Sequence, residues 1–285
     1  MNDTTSFARH FELVVSRRSG ASVVSRQRSQ RNFIAVSALL FAVSAAATIV
    51  WCSSMSAMGG MPMPGGWSMS MTWMRLPGQT WAGAAGSFLG MWLVMMAAMM
   101  LPSLVPMLAR YRRAVGWAGQ ARLDWFTAVA GSGYLFVWTI LGLAVFPVGV
   151  VLAAAEMRLP ALARAVPITV ALVVLIAGAL QFSAWKTHHL ACCREAPEHG
   201  RRLSADAGTA WRQGLRFGFH CGLSCANLTT ILLAIGVMDL RAMAAVTAAI
   251  TAERLVPSAE GAARTIGAVV IGAGLLLLVR AAGLR

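Results

Sequence analysis

The chain has 285 residues, of which 58% are hydrophobic and only 12% are charged, and its mean hydropathy is +0.67. A soluble core of ordinary proportions cannot bury so much apolar surface, so the composition indicates a bilayer as the main solvent. The net charge of +14 could point to nucleic acid, but the arginines are scattered through short predicted loops and carry no recognition motif. We therefore predict an all-α, polytopic membrane bundle that does not bind nucleic acid.

Runs of roughly 20 apolar residues mark the segments that can cross a hydrocarbon layer about 30 Å thick. They predict six spans, at Asn32–Trp51, Trp81–Leu108, Trp125–Ala155, Pro167–Trp185, Gly214–Met238 and Thr265–Ala282. A seventh segment, Ala242–Leu255, is short for a full crossing unless it thins the bilayer or re-enters it. Pro102 and Pro106 are expected to kink or end the second span.

Positive charge is divided unequally between the two sides that these spans would create. If the amino terminus is cytoplasmic, the cytoplasmic segments collect most of the arginines, including Arg254 and Arg264. The opposite side keeps few, among them Arg75, Arg158, Arg164 and Arg241. This asymmetry follows the positive-inside rule, and it predicts a cytoplasmic amino terminus and a seventh crossing. We expect the protein in the cell inner membrane.

The predicted organisation is a single transmembrane domain over residues 32–285, preceded by a basic cytoplasmic tail, residues 1–31, that we expect to be disordered. The domain contains a Met-rich extracytoplasmic loop, residues 52–80, and a cytoplasmic Cys/His loop, residues 186–213. A cleavable signal peptide is the alternative for the first apolar segment. Its basic leader of about 30 residues is longer than the usual n-region, which favours a retained span.

The extracytoplasmic loop contains two Met-X-Met pairs, Met61/Met63 and Met69/Met71, among glycine, proline and serine residues. Thioether sulfur is soft and neutral, so such pairs can bind copper(I) without losing a proton. The alternative is a flexible connector that uses methionine as an adaptable apolar residue.

The second span carries a methionine stripe at helical spacing. Met91, Met95 and Met99 lie at i, i+4 and i+8, on one face of a helix. Such a stripe could pass a soft ion through the membrane, but it could equally be packing material for a helical core.

Four of the five cysteines and four of the five histidines lie within residues 188–225. The candidate ligands among them are His188, His189, Cys192, Cys193, His220, Cys221 and Cys225. His188/Cys192, His189/Cys193 and Cys221/Cys225 are i, i+4 pairs, and two antiparallel helices could combine them into a tetrahedral site. Two or three sulfurs would suit copper(I). The alternative for Cys221 and Cys225 is packing beside a Gly214/Gly218/Gly222 stripe, while His220 could also be an interfacial polar residue.

The chain resembles the DUF2182 family of predicted metal-binding integral membrane proteins over roughly residues 85–280. The matching elements are Met95–Ser103 (MMAAMMLPS), Lys186–Arg194, Trp211–Gly214, Gly218, Cys221, Cys225, Gly236–Leu240 and Glu253. The sequence departs from the family pattern at His189, where a cysteine is usual, and at Ser224, which replaces one of two consecutive cysteines. The resemblance implies a membrane protein that binds metal, with copper handling as one description, and implies no particular reaction.

The sequence contains no P-loop, no aspartyl-phosphate pump signature and no HExxH motif, so ATP-driven transport and zinc proteolysis are not predicted. We predict a non-enzymatic protein that binds copper(I) on its Met loop, holds it at the Cys/His cluster and exchanges it with a metal-donor or acceptor protein. One alternative is a membrane redox subunit in which His188, His189 and His220 ligate haem or support a quinone. Another is a structural subunit without metal that assembles through its glycine stripe.

Overall fold

The computed structural model describes residues 3–57, 59–75, 78–115, 119–194 and 206–283, with side chains from residue 27 onward except at residues 120, 121 and 194. These residues form eight α-helices and one small hairpin. In chain order they are α1 Asp3–Ala57, β1 Met61–Met63, β2 Trp67–Met69, α2 Trp81–Val115, α3 Gln120–Arg158, α4 Pro160–Leu180, α5 Ala184–Arg194, α6 Ala207–Ile235, α7 Leu240–Leu255 and α8 Ala259–Ala281. The predicted all-α polytopic bundle is confirmed.

Six helical segments are long and apolar enough to cross a membrane. They are the whole of α2, α4, α6 and α8, together with Gln27–Ala57 in α1 and Arg122–Arg158 in α3. Their outer faces leave large apolar side chains uncovered, as at Leu39, Val151 and Val269, which are 64%, 67% and 68% exposed. An uncovered apolar belt of this kind is compatible with a multi-pass membrane protein, because lipid can cover it.

Several helix boundaries differ from those predicted. α1 begins at Asp3, so the helix extends through most of the basic tail that we expected to be disordered, and no proline interrupts it there. α2 continues through Pro102 and Pro106 to Val115, so these prolines do not end it. Neighbouring helices can stabilise backbone groups that a proline leaves unpaired. α4 ends at Leu180, five residues before the predicted Trp185, and a turn separates it from α5.

α7 is a helix of 16 residues that returns the chain along α6. The turn before it uses Gly236 at a φ of +141°, and Asp239 then caps α7 by accepting backbone hydrogen bonds from Arg241 and Ala242. At the other end of α7, Arg254 reaches Cys221, in the middle of α6. α7 thus runs from the Gly236 turn back to the level of the middle of α6, and it is shorter than the six helices that are long enough to cross a membrane. The seventh crossing stays a prediction.

Glycine lets α3 and α6 pack with their backbones in contact. A Cβ at Gly214 would lie 2.1 Å from the Ala130 carbonyl oxygen, and a Cβ at Gly218 would lie 2.8 Å from Val137 Cβ. Small residues permit this close approach between helices that lie in lipid. Two members of the predicted glycine stripe thus pack within the chain, and they bring Tyr134 of α3 next to Cys221 of α6.

Candidate metal centre

A cluster of sulfur atoms lies where α6 meets α2 and α5. Cys221 is fully buried at the middle of the 29-residue α6, and its Sγ lies 3.9 Å from Met100 Sδ on α2. Cys225 follows one turn later and contacts Cys221. Cys193, on the buried face of α5, has its Sγ 3.6 Å from Ser224 Oγ. We call Met100, Cys193, Cys221 and Cys225 the sulfur cluster.

Polar groups from two further helices surround Cys221. Tyr134 Oη of α3 lies 2.9 Å from Cys221 Sγ. Arg254 of α7 donates through Nη2 to Cys221 Sγ at 3.1 Å and to Ser224 Oγ at 2.9 Å. The same nitrogen lies 3.3 Å from the Cys221 carbonyl oxygen. The Cys221 thiol therefore has a fixed position and carries a cationic neighbour in a buried setting.

The spacing of the sulfur atoms suits a soft ion. Two sulfurs that bind one metal at trigonal angles with bonds of about 2.3 Å stand about 4 Å apart, close to the 3.9 Å between Cys221 Sγ and Met100 Sδ. Among the described residues, no three His, Cys, Asp or Glu side chains are arranged to hold one ion. The tetrahedral arrangement that the sequence suggested is therefore not present in that part of the chain, where Cys221 and Met100 form a buried thiol–thioether pair.

A buried ion pair holds α5 beside this cluster. Lys186 Nζ lies 2.7 Å from Glu253 Oε2 and also donates to the Ser224 carbonyl oxygen. Gln181 Nε2 donates to Glu253 Oε1 at 2.7 Å. Charged groups buried this deeply require partners, because an unpaired charge away from water is costly. The pair connects α5, α6 and α7, and so it keeps Cys193 near Ser224.

The histidines form a second group, on the outer face of α5 and α6. The His189 ring lies 5.2 Å from the His188 ring and 5.7 Å from the His220 ring, measured between centroids. His188 Nε2 lies 3.8 Å from Cys192 Sγ, and this pair is exposed. The Nδ1 atoms of His189 and His220 are buried without a hydrogen-bond partner in the described structure. We call His188, His189, Cys192 and His220 the histidine group.

The two groups divide the seven cysteine and histidine ligands that the sequence predicted. The pairs His188/Cys192 and Cys221/Cys225 stay together, whereas His189 joins the histidine group and Cys193 joins the sulfur cluster. This division arises because α5 presents Lys186, Leu190 and Cys193 to the protein interior. The i, i+4 spacing alone does not reveal which helix faces are buried.

Burial shifts the pKa values of two side chains on α5, Cys193 and His189. It raises the pKa of the Cys193 thiol, the largest effect on that group, because the charged thiolate loses its water. Burial, and then the neighbouring His188, lowers the pKa of His189. His189 is therefore predominantly neutral at neutral pH, which is the form that can bind a metal.

The predicted methionine stripe lies inside the bundle. Met91, Met95 and Met99 are buried, and they share one apolar core with Met96, Met100 and Cys221. At 1.5 Å per residue, the stripe from Met91 to Met100 covers about 14 Å along α2. Cys52 belongs to the same core, and its Sγ lies 3.7 Å from Met238 Sδ.

The Met-rich loop contains an ordered hairpin. Met61 of β1 lies directly opposite Met69 of β2, and Met63 lies opposite Trp67. Met63 and Met69 pack against Ala153 and Ala163, at the junction of α3 and α4. Met71 begins a short 3-10 turn and is half-buried. Met61, Met63 and Met69 therefore pack near the junction of α3 and α4, while Met71 lies in the turn that follows.

Sequence reasoning missed the partners of the sulfur cluster. Tyr134 carried no recognisable motif, because only the close packing of α3 on α6 brings it to Cys221. Arg254 was counted as a loop charge, whereas the structure buries it against Cys221. An arginine beside a glutamate inside an apolar segment is the feature that could have revealed it, since ionisable residues within membrane segments are usually functional.

Thiols and thioethers are the side chains that soft metal ions prefer, and this helical bundle encloses a buried group of them. A family model described as a copper chaperone, PpoB2, matches residues 89–277, and the chain belongs to that family. The matched range contains the stripe and the whole sulfur cluster. The match agrees with the predicted copper handling, although its name differs from that of the resemblance described above. No curated protein and no solved structure matches the chain.

Proposed function

We propose that this protein is an integral membrane copper(I) carrier that holds the ion at the sulfur cluster. The observation that carries the proposal is that Cys221 Sγ lies 3.9 Å from Met100 Sδ and also contacts Cys225. A close thiol–thioether pair alone would not suffice, because Cys52 and Met238 form one elsewhere in the core. A thiolate and a thioether are both soft ligands, which copper(I) prefers over the harder oxygen ligands of Mg²⁺ or Ca²⁺. Cys193, held nearby through Ser224, is the third sulfur that could complete the site.

The order of soft side chains suggests a route to this site. The proposed entry is the hairpin, where Met61 and Met69 stand opposite each other. The stripe of α2 then leads from Met91 to Met100, next to Cys221. With the arginine-rich ends of the helices in the cytoplasm, as the positive-inside rule requires, this route runs inward across the inner membrane.

The histidine group supports a proposed exit. The exposed His188/Cys192 pair lies on the opposite face of α5 from Cys193. Copper(I) that leaves the sulfur cluster could bind to this pair before a partner protein accepts it. Transfer between neighbouring sulfur and imidazole ligands does not change the oxidation state of copper, and so no electron donor is required.

Anaerobic copper(I) loading of the detergent-purified chain tests the proposal. We expect one tightly held copper per chain in the unaltered protein and loss of that copper in a Cys193→Ser/Cys221→Ser variant. Cys52→Ser is a matched control, because it removes an equally buried thiol from outside the cluster. Equal copper in the double variant and the control would contradict the proposal, provided that all three proteins melt at similar temperatures.

A further inference from the structure

Arg254 carries a positive charge inside the bundle, and the described part of the chain places no carboxylate within ion-pair distance to balance it. Its side chain is largely buried. The neighbouring Glu253 instead pairs with Lys186. Guanidinium remains protonated in proteins, so this charge cannot be relieved by losing a proton.

The acidic groups around Arg254 are the three thiols of the sulfur cluster and a phenol. Cys193, Cys221, Cys225 and Tyr134 are the groups whose charges act on it most strongly. Its Nη2 already donates to Cys221 Sγ and Ser224 Oγ, while Nη1 is buried and has no hydrogen-bond partner among the described groups. A buried hydrogen-bond donor without a partner is rare. Because this donor belongs to a cationic group, the position next to it suits an anion.

We infer that Arg254 is the counter-charge of an anionic, two-thiolate copper(I) complex, and that it makes the site selective for monovalent soft ions. The inference rests on the proposed function. Copper(I) forms bonds to the sulfurs of Cys221 and Cys193, both thiols release their protons to water, and the copper stays in its +1 state. The complex then carries one negative charge, which the guanidinium neutralises.

The same balance of charge between the metal complex and Arg254 disfavours a divalent ion. A divalent ion with two thiolates forms a neutral complex, which leaves Arg254 unbalanced in a buried setting. A third thiolate would restore the balance, but the described residues contain no three Cys, His, Asp or Glu side chains arranged around one point. Met100 can add a bond without adding charge, because a thioether is neutral. Arg254 thus does not bind the metal itself, but positions the thiolate ligands and neutralises their charge.

Chelator competition under anaerobic conditions, on the full chain in detergent, measures this role with Cu(I) and Cd(II) as the two probes. Arg254→Gln keeps a hydrogen-bonding group but removes the charge, so we expect copper(I) affinity to fall roughly 30-fold or more. Cd(II) affinity should stay unchanged or increase, because the neutral complex is then favoured. Arg254→Lys restores the charge and should bind copper(I) within roughly tenfold of the unaltered chain. Arg241→Gln, an exposed change on the same helix, is the matched control and should alter neither affinity.

The results separate this inference from the proposed function. If the unaltered chain binds no copper(I), both are wrong. If it binds copper(I) and a folded Arg254→Gln variant binds equally well, or loses Cu(I) and Cd(II) affinity alike, only the role of Arg254 is wrong. If Arg254→Gln does not fold, Arg254→Lys decides: a folded lysine variant that loses copper(I) affinity roughly 30-fold overturns the counter-charge, and one that retains it supports the counter-charge.

Discussion

The buried pair of Lys186 and Glu253 should be strongly coupled in the stability of the bundle. Their charged atoms lie 2.7 Å apart, and the two side chains are 0% and 2% exposed. At an effective dielectric constant of 20, unit charges at this distance attract each other by about 6 kcal/mol. The cost of removing both from water offsets much of this attraction, so the pair itself adds little net stability.

Removal of one partner has a different cost, because the other charge stays in place. Lys186→Met and Glu253→Gln should each lower the free energy of unfolding by about 3–5 kcal/mol. The loss of unfolding free energy in the double variant should be smaller than the sum of the two single losses by about 2 kcal/mol or more. The reason is that neither charge is then left buried without its partner. Denaturant unfolding in mixed micelles, followed by tryptophan fluorescence, measures all four proteins.

An exposed pair in the same chain provides the control for this cycle. Arg264 and Glu260 also lie 2.7 Å apart, but their side chains are 65% and 61% exposed. The corresponding cycle, Arg264→Met with Glu260→Gln, should show a coupling of about 0.5 kcal/mol or less. If the coupling of the buried pair were no larger than that of the exposed pair, the account of α5 as an element fixed by Lys186 would be wrong.

Three further substitutions and one labelling experiment test other parts of the structure. Gly214→Ala should destabilise the bundle by about 3 kcal/mol, since its Cβ would meet the Ala130 carbonyl; wild-type melting would contradict this. Met100→Leu keeps the side-chain volume, so it should weaken copper(I) binding while stability changes by less than about 1.5 kcal/mol. Arg112→Gln removes contacts to α1 and α3, and its melting temperature should fall. Maleimide should label Cys192 before Cys193 at neutral pH, because burial raises the pKa of the Cys193 thiol; peptide mass spectrometry reads the order.

The sequence predicted the helical architecture well because long apolar runs are typical of helices that contact lipid. Each of the six predicted spans overlaps one of the six long apolar helices, with ends that differ by up to seven residues, and the short seventh segment coincides with α7, whose crossing stays a prediction. The errors occurred where packing overrides local preference. α2 passes through two prolines, and α4 stops at Leu180 although apolar residues continue to Trp185.

The candidate site was predicted in composition but not in arrangement. The cysteines and histidines are clustered in sequence, so their proximity could be anticipated. Their division into a buried sulfur cluster and an outer histidine group depends on which face of α5 turns inward, and no periodicity across an 11-residue helix determines that. Tyr134 and Arg254 reach Cys221 from helices far away in sequence. Only the tertiary packing of α3 and α7 on α6 brings them there.

X-ray absorption at the copper edge of the anaerobically loaded protein tests the central claim most directly, because it identifies the atoms bound to copper. The account predicts two or three sulfur ligands at about 2.3 Å and no imidazole, with Met100→Leu reducing the number of sulfurs by one. A spectrum dominated by imidazole nitrogen would contradict it and would assign the copper to His188, His189 and His220 instead of Cys221.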